Sequence, residues 1–436
     1  MNDLGRLEEG GQIHELMKIA YPICRSITGD GVRETLAIVQ EAIGDTAEMQ
    51  IHEVESGTPV LDWEVPREWN VREAWLEGPK GRVLDLAEHN LHLMSYSTPV
   101  DLRLPLEELQ EHLYSLPEQP EVIPYRTSYY VERWGFCLPH AQREALEPGE
   151  YHAYIDSSLE PGSLTYGEVT IPGRSRREVL LSTHVCHPSM CNDNLSGVFT
   201  LTMLARLLGS VRNLRYTYRL VFVPGTIGSI TWLARNQDAA GRIAHGLVVS
   251  NLGDAGKFHY KCTPSSDRPI DGCVVRALGR LGHDVQIEPF SPFGYDERQY
   301  CSPGFDLPVG SLTRSPWGRY PEYHTSADDL DFVRPEALAQ SLEALLGIVG
   351  ELETARIYRN VEPFAEPQLG RRGLYSSIGG DDSGREKELA LLWVLHQCDG
   401  ARPLADVAAR SGVDPERLEW AVNALTEAGL LAEVDA

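Results

Sequence analysis

Apolar residues recur along this chain with a period that changes from one region to the next. In residues 12–44 they lie three or four positions apart, which predicts two helices with a break at the glycine-rich residues 28–31. Between residues 52 and 155 the apolar runs are short and carry Pro and Trp, as in residues 58–63 and 68–71. Such runs favour a β-rich inserted domain over residues 52–155.

After residue 169, short apolar runs alternate with longer segments of helical period. The predicted strands are residues 179–182, 218–223, 246–251 and 307–312. The predicted helices are residues 196–208, 229–236, 271–281 and 335–352. Alternation of this kind is typical of a mostly parallel sheet flanked by helices, so the predicted fold class is α/β.

The last part of the chain, residues 365–436, shows a third pattern. It carries three helical stripes of apolar residues between Leu389 and Leu425. These stripes predict a helix-turn-helix or winged-helix domain. The remaining segments, residues 1–51 and 156–360, are expected to form one α/β domain that the insertion interrupts.

The formal net charge of −25 argues against a nucleic-acid partner, because binding to phosphates depends on clustered Lys and Arg. Charge also argues against DNA binding by the winged helix, since residues 385–436 hold five basic and ten acidic side chains. This tail is expected instead to make protein contacts and to join the subunits of a homo-oligomer.

Two further features concern the cellular location. The chain contains no apolar run of 18 residues, and residues 1–10 lack the basic and apolar parts of a signal peptide. We therefore expect a cytoplasmic protein without a membrane partner. The eight cysteines are scattered along the chain, and they are expected to be reduced thiols.

Two imidazoles and a carboxylate follow directly on the predicted strand at residues 179–182. They are His184, His187 and Asp193, in a loop that leads into the next predicted helix. Open α/β sheets bind ligands at the carboxyl ends of their strands, and neutral imidazole and ionised carboxylate groups suit zinc. A loop of hydrogen-bonded polar residues is the alternative interpretation.

A second polar segment, residues 320–331, contains the sequence Y-H-T-S-A-D. Together with the D-N-L-S-G that ends residues 184–197, it resembles the zinc aminopeptidase superfamily, which includes bacterial leucyl aminopeptidases and glutamate carboxypeptidases. In that superfamily a His after a strand, the Asp of D-N-x-S-G and the His of Y-H-T-x-x-D bind metal. The resemblance places these roles on His184, Asp193 and His324.

The resemblance is closer to a bacterial group of aminopeptidase-like proteins that have an inserted β domain and a C-terminal winged helix. Residues 24–31, 133–137 and 296–301 carry it, and it covers nearly the whole chain. It implies an aminopeptidase-like catalytic domain and an accessory role in the biosynthesis of polysaccharides or specialised metabolites.

The chain departs from the superfamily pattern where a pair of Glu residues supplies the general base and a metal ligand. Gly225 and Thr226 stand at this position and offer neither group. Asp254 matches the next carboxylate ligand, although an Asp in this glycine-rich segment also suits a turn. His187 is expected to replace the missing ligand, unless it caps the turn at Pro188.

Glu297 is the expected replacement for the general base, because the superfamily places this loop near the substrate. Arg298 is expected to bind a substrate carboxylate through two hydrogen bonds, or else to pair with Asp296 or Glu297. Tyr323 is expected to donate a hydrogen bond to the oxyanion of a tetrahedral intermediate, or else to pack beside His324.

These features favour a hydrolase that uses one or two zinc ions to cleave an amide bond in a small amino-acid-derived or peptide substrate. The expected pathway is biosynthetic. The alternative is a non-catalytic metal-binding scaffold that retains the aminopeptidase fold, because a general base usually contributes about 10² to 10⁴ to the rate.

Overall fold

A computed structural model of the protein describes residues 3–374 and 382–434. Its centre is an eight-stranded sheet whose strands, in spatial order, are Met49–Glu55, Ser163–Ile171, Thr217–Val223, Glu178–His184, Ile243–Val249, Val309–Thr313, Phe258–Lys261 and Val285–Glu288. The four middle strands are parallel, and antiparallel pairs occur toward both edges. The predicted α/β fold class is therefore confirmed.

Helices cover both faces of this central sheet because its middle strands are buried on both sides. Every residue of Glu178–His184, for example, is buried. One face packs against the long helices Asp3–Ala20, Asp30–Ile43, Gly197–Gly209, Pro269–Arg280 and Pro335–Thr354. The other face packs against the inserted domain and the short helices Ile227–Arg235, Gln237–Ala240 and Glu297–Tyr300. The strands and helices predicted after residue 169 are all present.

The inserted domain contains a four-stranded antiparallel sheet. In spatial order its strands are Gly81–Asp85, Glu68–Gly78, Glu150–Glu160 and Val100–Pro105. The domain also contains two short strand pairs, which are Pro59–Val60 with Trp63–Glu64 and Leu113–Tyr114 with Phe136–Cys137. Its two short helices are Leu106–Leu109 and His140–Glu144. Its boundaries differ from the expected 52–155, because residues 52–55 belong to an edge strand of the central sheet and its own last strand continues to residue 160.

The tail forms a separate small core. Its helices and strands are Asp382–Gln397, Leu404–Ser411, Pro415–Glu427, Asp399–Pro403, Ile357–Asn360 and Leu431–Glu433. This winged helix begins before the expected boundary at residue 365, because Ile357–Asn360 supplies the middle strand of its sheet. Single 3₁₀ turns elsewhere in the chain lie at Gly44–Thr46, Asn90–His92, Gln110–His112 and Gly370–Arg372.

The tail also contacts the α/β domain of its own chain. Arg276 pairs with Asp406 of the tail and, at 3.0 Å, with Glu351. Arg402 lies 3.3 Å from Asp267. One side of the tail is thus engaged within the molecule, and homo-oligomer formation through the tail stays a prediction. None of the helices in the described ranges combines the length and the hydropathy that a membrane span requires.

Candidate functional site

The two motifs meet at the carboxyl end of the central sheet. His184 is the last residue of the strand Glu178–His184. Asp193 lies in a kinked turn, Cys191–Ser196, whose backbone is non-helical at Asp193 and Asn194 and which leads into the helix Gly197–Gly209. The loop therefore returns to the strand end, so that an aspartate nine positions later lies beside the histidine.

Asn194 fastens this turn to the strand. Its amide nitrogen donates to the carbonyl of His184 at 2.9 Å and to the hydroxyl of Thr183 at 2.8 Å. A Cβ atom at position 197 would lie 2.4 Å from the amide oxygen of Asn194, so the close approach requires Gly197. The D-N-x-S-G motif thus fixes Asp193 through its neighbours.

Asp193 stands between two histidines. Its Oδ1 atom is 2.7 Å from His184 Nε2, and its Oδ2 atom is 3.0 Å from His324 Nε2. The second pair does not align as a hydrogen bond, so both of its atoms lack a hydrogen-bond partner. His187 joins the group, because one ligand atom each from His184, His187 and Asp193 lie within 4.8 Å of one another.

Burial and charge keep this group in the form that binds metal. Burial lowers the pKa of the His187 imidazole well below its usual value, so this side chain is neutral. Burial raises the pKa of the Asp193 carboxyl, but the imidazoles of His187, His184 and His324 outweigh that effect and hold the pKa well below its usual range. Neutral imidazole and ionised carboxylate are the forms that coordinate zinc.

The cysteines of the first motif add no donor to this group. The eight cysteines of the chain form no disulfide bond. Cys186 Sγ lies 3.5 Å from His187 Nδ1, yet burial raises the pKa of this thiol to about 12. Burial also holds the pKa of the Cys191 thiol well above its usual value. Because the thiolate and not the thiol is the metal ligand, neither residue suits that role in this environment.

The inserted domain holds the loop that carries His324. The backbone N–H of Tyr125 donates to the carbonyl of His324 at 2.8 Å, and Ser326 exchanges two hydrogen bonds with the backbone of Ile123 at 2.9 and 3.0 Å. His324 has a φ of 56°, a left-handed conformation that is uncommon outside glycine and that clusters at functional sites. Tyr323 stacks on the His324 imidazole with ring centroids 3.9 Å apart.

Asp328 is a buried carboxyl to which the motif analysis assigned no role. Its two oxygens accept from the backbone N–H groups of Asn192 at 2.5 Å and Asp193 at 2.8 Å. Burial raises the pKa of this carboxyl to about 8. Asp328 positions the loop of Asp193, and the available signal was its place as the last residue of Y-H-T-x-x-D.

The structure does not bring Asp254 into the ligand group. Its Oδ1 atom accepts from the Ser315 hydroxyl at 2.8 Å and from the N–H of Gly256 at 2.6 Å. Its Oδ2 atom accepts from the Asn192 amide at 2.8 Å. Both oxygens are therefore engaged within neighbouring loops in this structure, and the role of metal ligand stays a prediction. Asp254 supports the residue next to Asp193.

Glu297 is also engaged elsewhere. It is fully buried, where its carboxylate pairs with Lys261 and accepts the N–H of Tyr295 at 3.0 Å. These contacts occupy both carboxylate oxygens in this structure, and the role of general base stays a prediction. Arg298, the expected substrate-binding residue, is exposed on the same short helix.

Tyr295 fills the space beside the position where the superfamily has its Glu pair. A Cβ atom at Gly225 would lie 2.0 Å from Tyr295 Cε1 and 2.6 Å from its hydroxyl oxygen. The Tyr295 ring contacts His184 with ring centroids 4.1 Å apart, and its hydroxyl lies 3.6 Å from Cys186 Sγ. A tyrosine from another loop thus occupies space next to the position where this chain lacks the Glu pair.

A cavity of about 380 Å³, called the cleft below, opens beside these histidines. The α/β domain contributes His187, Tyr295 and His324 to its lining, and the inserted domain contributes Trp63 and the aromatic residues between positions 125 and 130. Its volume is that of a small-molecule site. The two domains together therefore enclose the candidate active site.

The donor atoms at the cleft fit a zinc ion. His184 Nδ1, Asp193 Oδ2 and His324 Nε2 are buried atoms without a hydrogen-bond partner. A buried polar atom is costly unless a partner satisfies it. Imidazole nitrogen and carboxylate oxygen are the ligands that zinc accepts in catalytic sites.

Comparison with known proteins identifies the family and the tail domain of this chain. Residues 14–355 match the model of a family described as a domain of unknown function (DUF4910), and residues 356–433 match a winged helix-turn-helix model. A candidate polysaccharide biosynthesis protein with an aminopeptidase-like domain, from Clostridium acetobutylicum, is 47% identical over 425 residues, which cover 97% of this chain and 96% of the relative.

Solved structures share the fold. The crystal structure of a candidate peptidase from Clostridium acetobutylicum has a TM-score of 0.82 and 45% identity, and the match covers 99% of this chain and 98% of that one. A zinc aminopeptidase from Bacillus subtilis has a TM-score of 0.59 and 12% identity, over 79% of this chain and 95% of its own. The resemblance to zinc aminopeptidases is confirmed in the fold, and the chain belongs to the DUF4910 family.

Proposed function

We propose that this protein is a metal-dependent hydrolase of an amide bond. The observation that carries the proposal is the group of His184, His187 and Asp193, whose ligand atoms lie within 4.8 Å of one another beside the cleft. Three protein ligands with an open fourth position are the usual arrangement of a catalytic zinc site. The aminopeptidase-like fold supports a peptidase-like hydrolase.

One zinc ion would be held by these three residues. When bound, zinc polarises a carbonyl group and lowers the pKa of a bound water toward neutrality. Everything else in the reaction falls to side chains that line the cleft. These are chiefly His324 and Tyr295, because Glu297 and Asp254 are engaged in other contacts.

We assign proton transfer to His324 in place of the ligand role. Its Nε2 atom has no hydrogen-bond partner, its side chain is 31% exposed, and it lines the cleft. The Asp193 carboxylate lies 3.0 Å from this atom. His324 Nε2 can therefore accept a proton from the attacking water and deliver it to the leaving nitrogen as the C–N bond breaks and the new C–O bond forms. The products are an amine and a carboxylic acid.

Tyr295 replaces Tyr323 as the hydroxyl donor. Tyr295 lines the cleft, whereas Tyr323 is stacked on His324. Burial raises the pKa of Tyr295 well above its usual value, so its hydroxyl stays protonated and can donate to the carbonyl oxygen as negative charge develops there. A biosynthetic substrate is supported by the name of the Clostridium acetobutylicum relative, which refers to polysaccharide biosynthesis.

Metal analysis of purified variants tests the assignment of ligands. His184→Ala, His187→Ala and Asp193→Asn should each lower bound zinc at least about tenfold. His324→Gln should keep its zinc and lose about 10² or more in hydrolysis rate. His245→Gln is the matched control. His245 is a buried histidine that contacts Tyr216 and is not one of the clustered ligand residues, so its substitution should leave zinc binding intact.

A panel of aminoacyl and N-acyl amides supplies the activity measurement. Loss of zinc in His324→Gln would show that His324 is a metal ligand. A parent protein that binds no zinc would overturn the proposal. Full zinc occupancy without hydrolysis of any amide in the panel would favour the non-catalytic scaffold.

A further inference from the structure

The charges around the cleft restrict which amides can bind there. Among its lining residues, Arg126 is the only side chain with a permanent charge, and no carboxylate lines it. Asp193 is not among the lining residues, and its carboxylate lies 2.7 Å from His184 and 3.0 Å from His324. A substrate with a free α-ammonium group would therefore lose its hydration without gaining an anionic partner, which is unfavourable.

Strongly anionic ligands are disfavoured as well. The whole chain carries a formal charge of −25, which repels anions at long range. Arg126 supplies one positive charge at the edge of the cleft, where it is exposed to solvent. Apart from the charge that a bound metal ion would add, the protein groups at the cleft therefore favour a neutral polar ligand.

The wall that the inserted domain contributes is aromatic. Trp63 and Tyr130 are 47% and 54% exposed, and their ring centroids lie 5.5 Å apart. Tyr125 and Tyr129 are joined by a hydrogen bond of 2.6 Å between their hydroxyl groups. Aromatic rings that carry polar groups at their edges bind ligands with one apolar face and one polar edge. A sugar ring has this character, since its C–H groups form a face and its hydroxyl groups lie around the edge.

The same wall borders a second cavity of about 490 Å³. Tyr129 and Tyr130 line both cavities, and Tyr96 lines the second. Of the charged residues at the second cavity, Arg67 and Glu132 pair with each other, so their charges compensate, and Glu64 is the third. The two adjoining cavities can hold a ligand of more than one ring, with one ring near the histidines and the next beyond the tyrosines.

We infer that the substrate is a neutral saccharide that bears an N-acylated amino group, and that the aromatic wall binds its sugar rings. This inference rests on the proposed function. In the reaction, water adds an oxygen to the acyl carbon, the bond from that carbon to the sugar nitrogen breaks, and a free amino sugar and a carboxylic acid leave. The wall formed by Trp63, Tyr129 and Tyr130 determines specificity.

Calorimetric titration of the zinc-loaded protein tests the inference with N-acetylglucosamine, N-acetylgalactosamine, N-acetylmannosamine and tri-N-acetylchitotriose. At least one of these should bind, and more tightly than leucinamide, which carries a free amino group. Trp63→Ala and Tyr130→Ala should each raise its Kd at least about tenfold. Trp420→Ala and Phe364→Ala are matched controls, because these exposed aromatic residues lie outside both cavities, and they should leave the Kd unchanged.

The titration is repeated on protein stripped of metal, which separates this inference from the proposed function. Saccharide binding that survives metal removal and weakens in the Trp63 and Tyr130 variants supports the sugar site even if no hydrolysis occurs. The inference is overturned if none of the four saccharides binds, if leucinamide binds more tightly, or if the cleft variants and the controls behave alike. Hydrolysis of other amides under those outcomes would leave the proposed function standing.

Discussion

Replacement of Gly225 by alanine should disturb the site chiefly through Tyr295, which supplies the three atoms nearest to the added Cβ. The added Cβ atom would lie 2.0 Å from Tyr295 Cε1, whereas carbon atoms pack best at about 3.5–4.0 Å. The ring therefore has to move by roughly 1.5 Å, or the loop around Gly225 has to move instead. Overpacking of this kind costs about 1–3 kcal/mol. The displaced hydroxyl would also leave the position from which we propose that it donates to the substrate.

A double-mutant cycle isolates this contact. In a Tyr295→Ala background the obstructing ring is gone, so Gly225→Ala should cost little, and the interaction energy between the two substitutions should be about 1–3 kcal/mol. Urea unfolding of the four proteins supplies the free energies. Gly279→Ala is the matched control, because no atom lies within 4 Å of its added Cβ, and it should be neutral or slightly stabilising. Additive effects of the two substitutions, or a Gly225→Ala variant as stable as the parent, would refute the reasoning.

Three further predictions concern individual carboxylates and their partners. Asp254→Asn should retain zinc, because hydrogen bonds within the loops already engage both oxygens, and the substitution should lower the free energy of unfolding by about 1–3 kcal/mol. Loss of zinc from this variant, measured by elemental analysis, would show that Asp254 is a ligand. Arg33 donates hydrogen bonds that lower the pKa of Glu68 to about 2, so Glu68 contributes stability above its unfolded pKa of about 4.3, and this contribution is lost as the pH falls toward 2. The stability difference between the parent and Glu68→Gln should therefore shrink over that range in thermal unfolding, and a constant difference would contradict the pairing. Arg276→Met should leave Asp406 buried without its ion-pair partner, so the contact between the tail and the α/β domain should weaken. Proteolysis of residues 361–374 should then be faster than in the parent, and an unchanged cleavage rate would show that other contacts hold the tail.

The sequence was sufficient for the parts of the fold that local pattern determines. The strand Glu178–His184 and the helix Pro335–Thr354 follow from unbroken apolar periodicity, and the structure places both within two residues of the prediction. The domain boundaries were harder to predict from the sequence. Met49–Glu55 joins the central sheet by pairing with Ser163–Ile171, more than a hundred residues away, and no local pattern reveals that partner.

The site shows the same division between local and long-range information. His184 and Asp193 could be found because a single loop carries both. The surroundings of the Glu297 carboxylate depend on Lys261, which approaches from a different strand, so the polar character of its loop could not predict this ion pair. The sequence did not predict a role for Tyr295, because that role depends on its contact with Gly225, seventy positions earlier. The tyrosine ring fits there only because glycine has no side chain.

The hydrogen bonds between the inserted domain and the His324 loop have a consequence for how this protein matures and diverges. Ile123 and Ser326 are 203 positions apart, so the hydrogen bonds that hold the loop form only when the inserted domain and the sheet are in contact. A chain with a damaged insertion would expose part of one face of the central sheet and lose the contacts that position His324. Recombination between relatives would have to exchange both segments together, which makes the inserted domain and the late histidine loop a single unit of inheritance.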